Sequence, residues 1–139
     1  MMAGGTLMQL RYDQSGLVPA VVSDYRSGEV LMQAYMNEEA FRKTLESGEG
    51  WYYSRSRQSL WHKGEQSGNV QIVHEVLVDC DEDCVWLRVE QKGGAACHTG
   101  FRSCFYRRVR MDDAGRITTE NRLDTPVIDP DIMYGSSRP

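Results

Sequence analysis

Apolar residues between positions 17 and 36 fall into two runs, LVPAVV and VLMQAYM, on either side of Arg26-Ser27-Gly28-Glu29. Runs of this kind broken by turn-forming residues predict a hairpin of two partly buried strands. The rhythm then changes. Asn37 can cap a helix, Glu38 and Glu39 stand in its first turn, Phe41 and Leu45 share a face, and Gly48 follows its end. These signals predict one helix of about three turns. Burial of Phe41 and Leu45 is expected to anchor it, because the pairs Glu38–Arg42 and Glu39–Lys43 contribute only about 0.2–0.5 kcal/mol each.

Residues 50–55 (GWYYSR) read as a third strand. They run into a polar, glycine-punctuated stretch at 56–69 that is long for a structureless connection, and long loops are commonly functional. VQIVHEVLVDC (70–80) and CVWLRVEQ (84–91) predict an antiparallel strand pair. If the first of these strands continues to residue 83, its period of two places Asp79, Asp81 and Asp83 on one face. Cys80 then points to the other, with Val76 and Val78. Gly93-Gly94-Ala95-Ala96 marks a tight turn before Cys97, and CFYRRVR from Cys104 reads as a last short strand. Residues 111–139 are polar and carry prolines, with Val127, Ile128, Ile132 and Met133 as apolar anchors. The expected architecture is α+β: a mixed, mainly antiparallel sheet, curled as a roll, packed on one main helix. A domain over 1–110 is followed by a C-terminal extension or arm, 111–139.

Composition bounds the setting. A chain of 139 residues suits one domain with its own core, and 40% hydrophobic with 26% charged residues is ordinary for a soluble protein. No stretch approaches the ~20 apolar residues of a membrane helix, and MMAGGTLMQLRYDQ lacks the apolar run of a signal peptide. A cytoplasmic location is expected. In that reducing compartment four cysteines point to metal binding or chemistry rather than disulfides. The net charge of −4 argues against nonspecific nucleic-acid binding, and nothing points to a membrane partner. An anionic substrate would need local help from arginines, backbone amides or a divalent cation.

The cysteines could simply fill a core, where free thiols are common. Cys97 and Cys104, however, flank His98, Thr99, Gly100, Arg102 and Ser103, a polar neighbourhood unsuited to filler. Together with Cys80 they read as metal ligands, whereas Cys84 opens an apolar strand and reads as a packed thiol. Three thiolates suit zinc and leave a fourth position open to water. Asp79, Asp81 and Asp83 suit magnesium, manganese or calcium, against the plain alternative of a solvated acidic turn. They also match positions 1, 3 and 5 of a calcium loop with Glu90 at position 12, but Cys84 stands where that loop needs glycine. Ser54-Arg55-Ser56-Arg57 with Trp61, His62 and Lys63 could receive phosphate, although alone the segment could equally be a basic, solvated loop. His74, on the apolar face, reads as structural, whereas His62 and His98 lie in polar loops and are acid–base candidates. The H-x-E and P-C-x-x-C signature of zinc deaminases is absent.

SRSRQSLWHKGEQSGNVQ (54–71), DCDED (79–83) and EQKGGAACHTGFRSCFYR (90–107) together resemble the phosphoribosyl-AMP cyclohydrolase family, over roughly residues 17–108. The resemblance implies magnesium on Asp79, Asp81 and Asp83. It implies zinc on Cys80, Cys97 and Cys104, shared between the subunits of an intertwined homodimer. It also implies the reaction, hydrolytic opening of the adenine ring of 1-(5-phosphoribosyl)-AMP at N1–C6 in the third step of L-histidine biosynthesis. Because three thiolates leave zinc in a net negative site, a base is expected, with His98 first and His62 or Lys63 as alternates. Ser54, Arg55, Ser56, Arg57, Trp61, Gly93, Gly94, Thr99 and Arg102 are the candidate substrate contacts. Cys84 lies outside the family's ligand set. Some relatives continue into a phosphoribosyl-ATP pyrophosphohydrolase domain, and a chain this short is expected to leave that step to another polypeptide. The competing expectation is a non-catalytic, zinc-stapled dimeric interaction module.

Overall fold

In the computed structural model, which describes residues 5–123, 126 and 127, β1 (Val18–Asp24) and β2 (Val30–Met36) form the predicted antiparallel hairpin. Its turn is set locally. The Asp24 carboxylate accepts from the amides of Arg26 (2.9 Å) and Ser27 (2.7 Å), and Gly28 takes the left-handed φ of +80°.

The helix α1 (Glu38–Ser47) has both predicted caps. Asn37 Oδ1 accepts from the Ala40 amide at 2.8 Å, and Gly48, at φ +75°, donates to Thr44 O at 3.0 Å. Its buried face differs from the expected one. Ala40 and Thr44 are buried, Phe41 is half-buried against the core, and Leu45 is 55% exposed. Small side chains let α1 sit close to the sheet, where the Thr44 hydroxyl donates to Ala40 O (2.9 Å) and accepts from the Trp51 amide (3.0 Å). Thr44→Val is therefore expected to cost about 1–3 kcal/mol in urea unfolding, because Trp51 N–H loses its partner. Leu45→Ser should stay within about 0.5 kcal/mol, whereas the sequence alone would have ranked the two the other way.

β3 (Trp51–Ser54) follows as expected, but residues 56–69 are not one loop. They contain β4 (Ser59–His62), paired antiparallel with β3 so that Trp51 faces His62 and Tyr53 faces Leu60. Gln58, at φ +50°, closes this hairpin. β5 (Gln71–Val78) and β6 (Val85–Gln91) make the second predicted pair. A register shift between Val73 and Glu75 breaks the alternation there. His74 is consequently exposed, stacked on Tyr25 at 3.8 Å, rather than on the apolar face.

The six strands run β4-β3-β2-β1-β6-β5, antiparallel except for the parallel β1–β6 pair. That pair sets Ala20 beside Val85 and Val22 beside Leu87, and these alternating residues form the centre of the core. The sheet curls, because β5 also meets the chain between α1 and β3: Val73 N donates to Gly48 O (2.8 Å) and Gly50 N to Gln71 O (3.1 Å). The expected α+β roll, with one helix on a mixed, mainly antiparallel sheet, is what forms.

The last strand is not the one beginning at Cys104. β7 (Arg107–Met111) pairs with β8 (Ile117–Asn121) in a separate two-stranded sheet that crosses the expected boundary at 110. All ten of its strand residues are exposed. Of the predicted arm anchors, Val127 is exposed, and Ile128, Ile132 and Met133 lie outside the described residues. No helix among the described residues is long and apolar enough to cross a membrane.

Candidate active site

A cleft of about 410 Å³ opens between β2, the β3–β4 hairpin and the loop that carries Cys97 and Cys104. It collects Ser54, Arg55, Arg57 and Trp61 from the expected substrate contacts, His62, Lys63 and His98 from the expected acid–base groups, and Cys104. The guanidinium of Arg55 lies over the Tyr35 ring at 4.0 Å. Among the described residues neither Arg55 nor Arg57 pairs with a carboxylate, so both present free positive charge at the cleft.

The thiol loop is built by its own backbone. Ala96 N bonds Arg102 O (3.2 Å), Cys97 N bonds Phe101 O (3.1 Å), Gly100 N bonds Cys97 O (2.9 Å), and Gly100 sits at φ +92°. Cys97 is buried and hydrogen-bonded to the Cys104 thiol, with Thr99 Oγ1 at 2.8 Å. The Cys104 thiol donating to it, followed by the contacts with Thr99, holds Cys97 well below the ordinary thiol range, at about 5, whereas that same bond and burial push Cys104 far up. The first proton leaves this pair easily and the second is held. Such a pair is a ready soft-metal donor set, since thiolates are the binding form. His98 is exposed at the tip of the loop.

Lys63 is the buried cation of the site, 3% exposed, with Nζ donating to Ala96 O at 2.6 Å. Burial pushes its ammonium down from the usual lysine range, and the charges of Cys104 and Cys97 oppose that. His62 is engaged elsewhere: its ring stacks on Trp51 at 4.5 Å and Nε2 meets Glu49 Oε1 at 2.7 Å.

Other expected residues lie apart from the cleft. Arg102 is ion-paired with Glu29 at 2.7 Å, in a shallow recess with Gly94. Gly93 packs under Asn69, whose Oδ1 lies 2.1 Å from where a Cβ would stand. Thr99 serves the Cys97 thiol, and Ser56 lies 3.4 Å from the Ser54 hydroxyl outside the lining. Sequence reasoning missed Glu49, Gln33, Tyr35, Tyr53 and Glu65. Only Glu65 carried a signal, inside the KGEQSGN segment.

The aspartates are gathered by a turn rather than by strand alternation. β5 stops at Val78. Glu82 N bonds Asp79 O (3.1 Å), Asp79 N bonds Cys84 O (3.1 Å), and Glu82 takes φ +62°. Carboxylate oxygens of Asp79, Asp81 and Asp83 come within 4.8 Å of one another. Leaving water works to raise the Asp79 carboxyl, but bonds from Asp83, Cys84 and Glu82 outweigh this and lower it. Its bond to Asp79 and the neighbouring charges raise Asp83. Crowded carboxylates of this kind fit a divalent hard cation. Neither they nor the exposed Cys80 line the cleft, and Cys84 sits with Asp81 and Asp83 in a recess of its own, half-buried.

Residues 32–106, which include both the acidic turn and the thiol loop, match the family model described as Phosphoribosyl-AMP cyclohydrolase. A phosphoribosyl-AMP cyclohydrolase of Desulfotalea psychrophila is 54% identical over 132 residues, covering 94% of this chain and 99% of the relative. One of Nitrobacter hamburgensis is 60% identical over 130 residues (94% and 88%), and one of Rhodopseudomonas palustris strain HaA2 is 53% identical over 131 residues (94% and 88%). With matches of this identity spanning the cleft, the thiol loop and the acidic turn, the chain belongs to the phosphoribosyl-AMP cyclohydrolase family.

Proposed function

We propose that the protein hydrolyses 1-(5-phosphoribosyl)-AMP at N1–C6, yielding the phosphoribosylformimino-aminoimidazole carboxamide ribotide of the third step of L-histidine biosynthesis. The observation that carries this reading is one cleft joining free arginines, an exposed histidine and the Cys104 thiol, which is hydrogen-bonded to the readily ionised Cys97. Arg55 and Arg57 receive substrate phosphate. Zinc, when held by the thiols, supplies a Lewis acid that makes water nucleophilic near neutral pH. His98 takes the proton of the attacking water as its oxygen bonds to C6. The N1–C6 bond then breaks and N1 receives that proton. The C6 hydroxyl gives up its own proton, to the exocyclic nitrogen if this is the imine or to solvent if it is already the protonated amino group, so that C6 becomes the carboxamide.

The active unit in this reading is a homodimer. Cys97 and Cys104 lie together, whereas Cys80 lies at the acidic turn, and among the described residues no group of three metal-ligating atoms joins it to them, which supports the partner subunit's Cys80 as the third ligand. The exposed β7–β8 hairpin supports an intersubunit role: Val109 and Met111 share a face with Ile117, each more than 60% exposed. Asp79, Asp81 and Asp83 would hold magnesium, which would offset substrate charge. Four free cysteines support a reducing, cytoplasmic setting. Activity separates this reading from an interaction module. The zinc-loaded protein is expected to give the absorbance change of ring opening with phosphoribosyl-AMP, and chelation should abolish it while circular dichroism stays unchanged. A folded, zinc-loaded dimer without turnover would sink the proposal.

A further inference from the structure

Among the described residues the buried ammonium of Lys63 has a fixed place and no carboxylate partner. Its backbone N–H bonds Gly50 O at 3.1 Å, tying it to the start of β3, and Nζ bonds Ala96 O, one residue before Cys97. Among the described residues that carbonyl is its one hydrogen-bond acceptor, although an ammonium has three protons to place, and Trp61 lies 5.5 Å away with its ring face toward it. A buried cation needs an opposite charge nearby. The ionisable groups whose negative charge acts on it are Cys104 and Cys97, and its bond to Ala96 O places it beside the second of them.

We propose that Lys63 is the built-in counter-charge of the zinc centre, a positioning residue whose ammonium offsets the negative charge left when three thiolates hold one zinc ion. The inference rests on the zinc reading above. It accounts for a lysine sealed from solvent at the back of the cleft, where proton exchange with water is hindered. It also accounts for how a thiolate-rich centre would regain part of its electron-withdrawing power, while still leaving a base to take the proton: Lys63 returns some of the charge that the thiolates remove.

The test is the zinc dissociation constant of the full-length protein, measured by competition with a chromophoric chelator for wild type, Lys63→Gln and Lys63→Met. Glutamine keeps a donor for Ala96 O but not the charge, and methionine keeps neither. Both variants are expected to bind zinc about 10- to 100-fold more weakly, the range seen when groups that support metal ligands are removed. Wild-type affinity in both overturns the inference. Wild-type affinity in Lys63→Gln with loss only in Lys63→Met also overturns it, by assigning the effect to the hydrogen bond. A wild-type protein that binds no zinc overturns the underlying zinc reading instead. Circular dichroism of each metal-free protein checks folding, and if Lys63→Met does not fold, Lys63→Gln decides.

Discussion

His98→Ala is expected to lower turnover about 10²- to 10⁴-fold, the usual worth of a positioned acid or base, while zinc content stays at the wild-type level. The substitution leaves the thiol loop intact, because that loop is closed by bonds among Ala96, Cys97, Gly100, Phe101 and Arg102 backbone groups and none involves the His98 side chain. The loss should fall on turnover rather than on KM, since the proposed mechanism has His98 act on the water and leaves phosphate recognition to Arg55 and Arg57. The need for a base follows from the proposed donor set. A zinc held by thiolates would withdraw less charge from water than one held by neutral imidazoles, so the protein would have to take the proton. His62 is a poor substitute despite its place on the cleft, because Glu49 and Trp51 hold its ring. Steady-state kinetics paired with zinc analysis checks the prediction, and near-normal turnover in His98→Ala removes it from the mechanism.

What the sequence made legible was local. The turn of the β1–β2 hairpin and both caps of α1 depend on residues within four positions of one another, and each formed as the pattern implied. The misreadings share another cause, contacts set by distant chain. Leu45 shared a predicted apolar face with Phe41, yet the sheet takes the neighbouring stripe, Ala40 and Thr44, because small residues allow the close approach that Trp51 exploits. β4 is four residues long, too short for its alternation to stand out between Arg57-Gln58 and Lys63-Gly64. A single bulge turned His74 outward.

The same division runs through the site. Residue type and order in the motifs drew attention to Arg55, Arg57, Lys63, His98 and the thiols, and the cleft gathers all of these except Cys80 and Cys97, the latter being hydrogen-bonded to the cleft thiol Cys104. The Glu49–His62 contact was invisible because only the β3–β4 pairing brings together groups thirteen positions apart. Strand alternation gave the right outcome for the acidic group through the wrong geometry: the three carboxylates do converge, but on a turn that begins where β5 ends. Alternation along one strand also said nothing of which subunit Cys80 serves.

That question has a decisive experiment with a large effect. Cys80→Ala and Cys97→Ala should each lose bound zinc and at least about 10³-fold in turnover, because several kcal/mol of charge stabilisation disappear at 1.36 kcal/mol per tenfold. A centre contained within one chain predicts that combining the two variants changes nothing. A shared centre predicts rescue. If the two variants are co-expressed with different tags and the heterodimer is isolated, one of its sites combines Cys97 and Cys104 from the Cys80→Ala subunit with Cys80 from the other, and is complete. Its second site lacks both Cys80 and Cys97. Twofold symmetry therefore sets the expected recovery at about half of wild-type turnover, with about one zinc per dimer. The placement of the thiols makes the outcome informative, because Cys80 sits with the exposed acidic turn whereas Cys104, bonded to Cys97, lines the cleft with Lys63. Recovery near half joins those two surfaces across the subunit boundary, and a heterodimer as inactive as its parents rules that arrangement out.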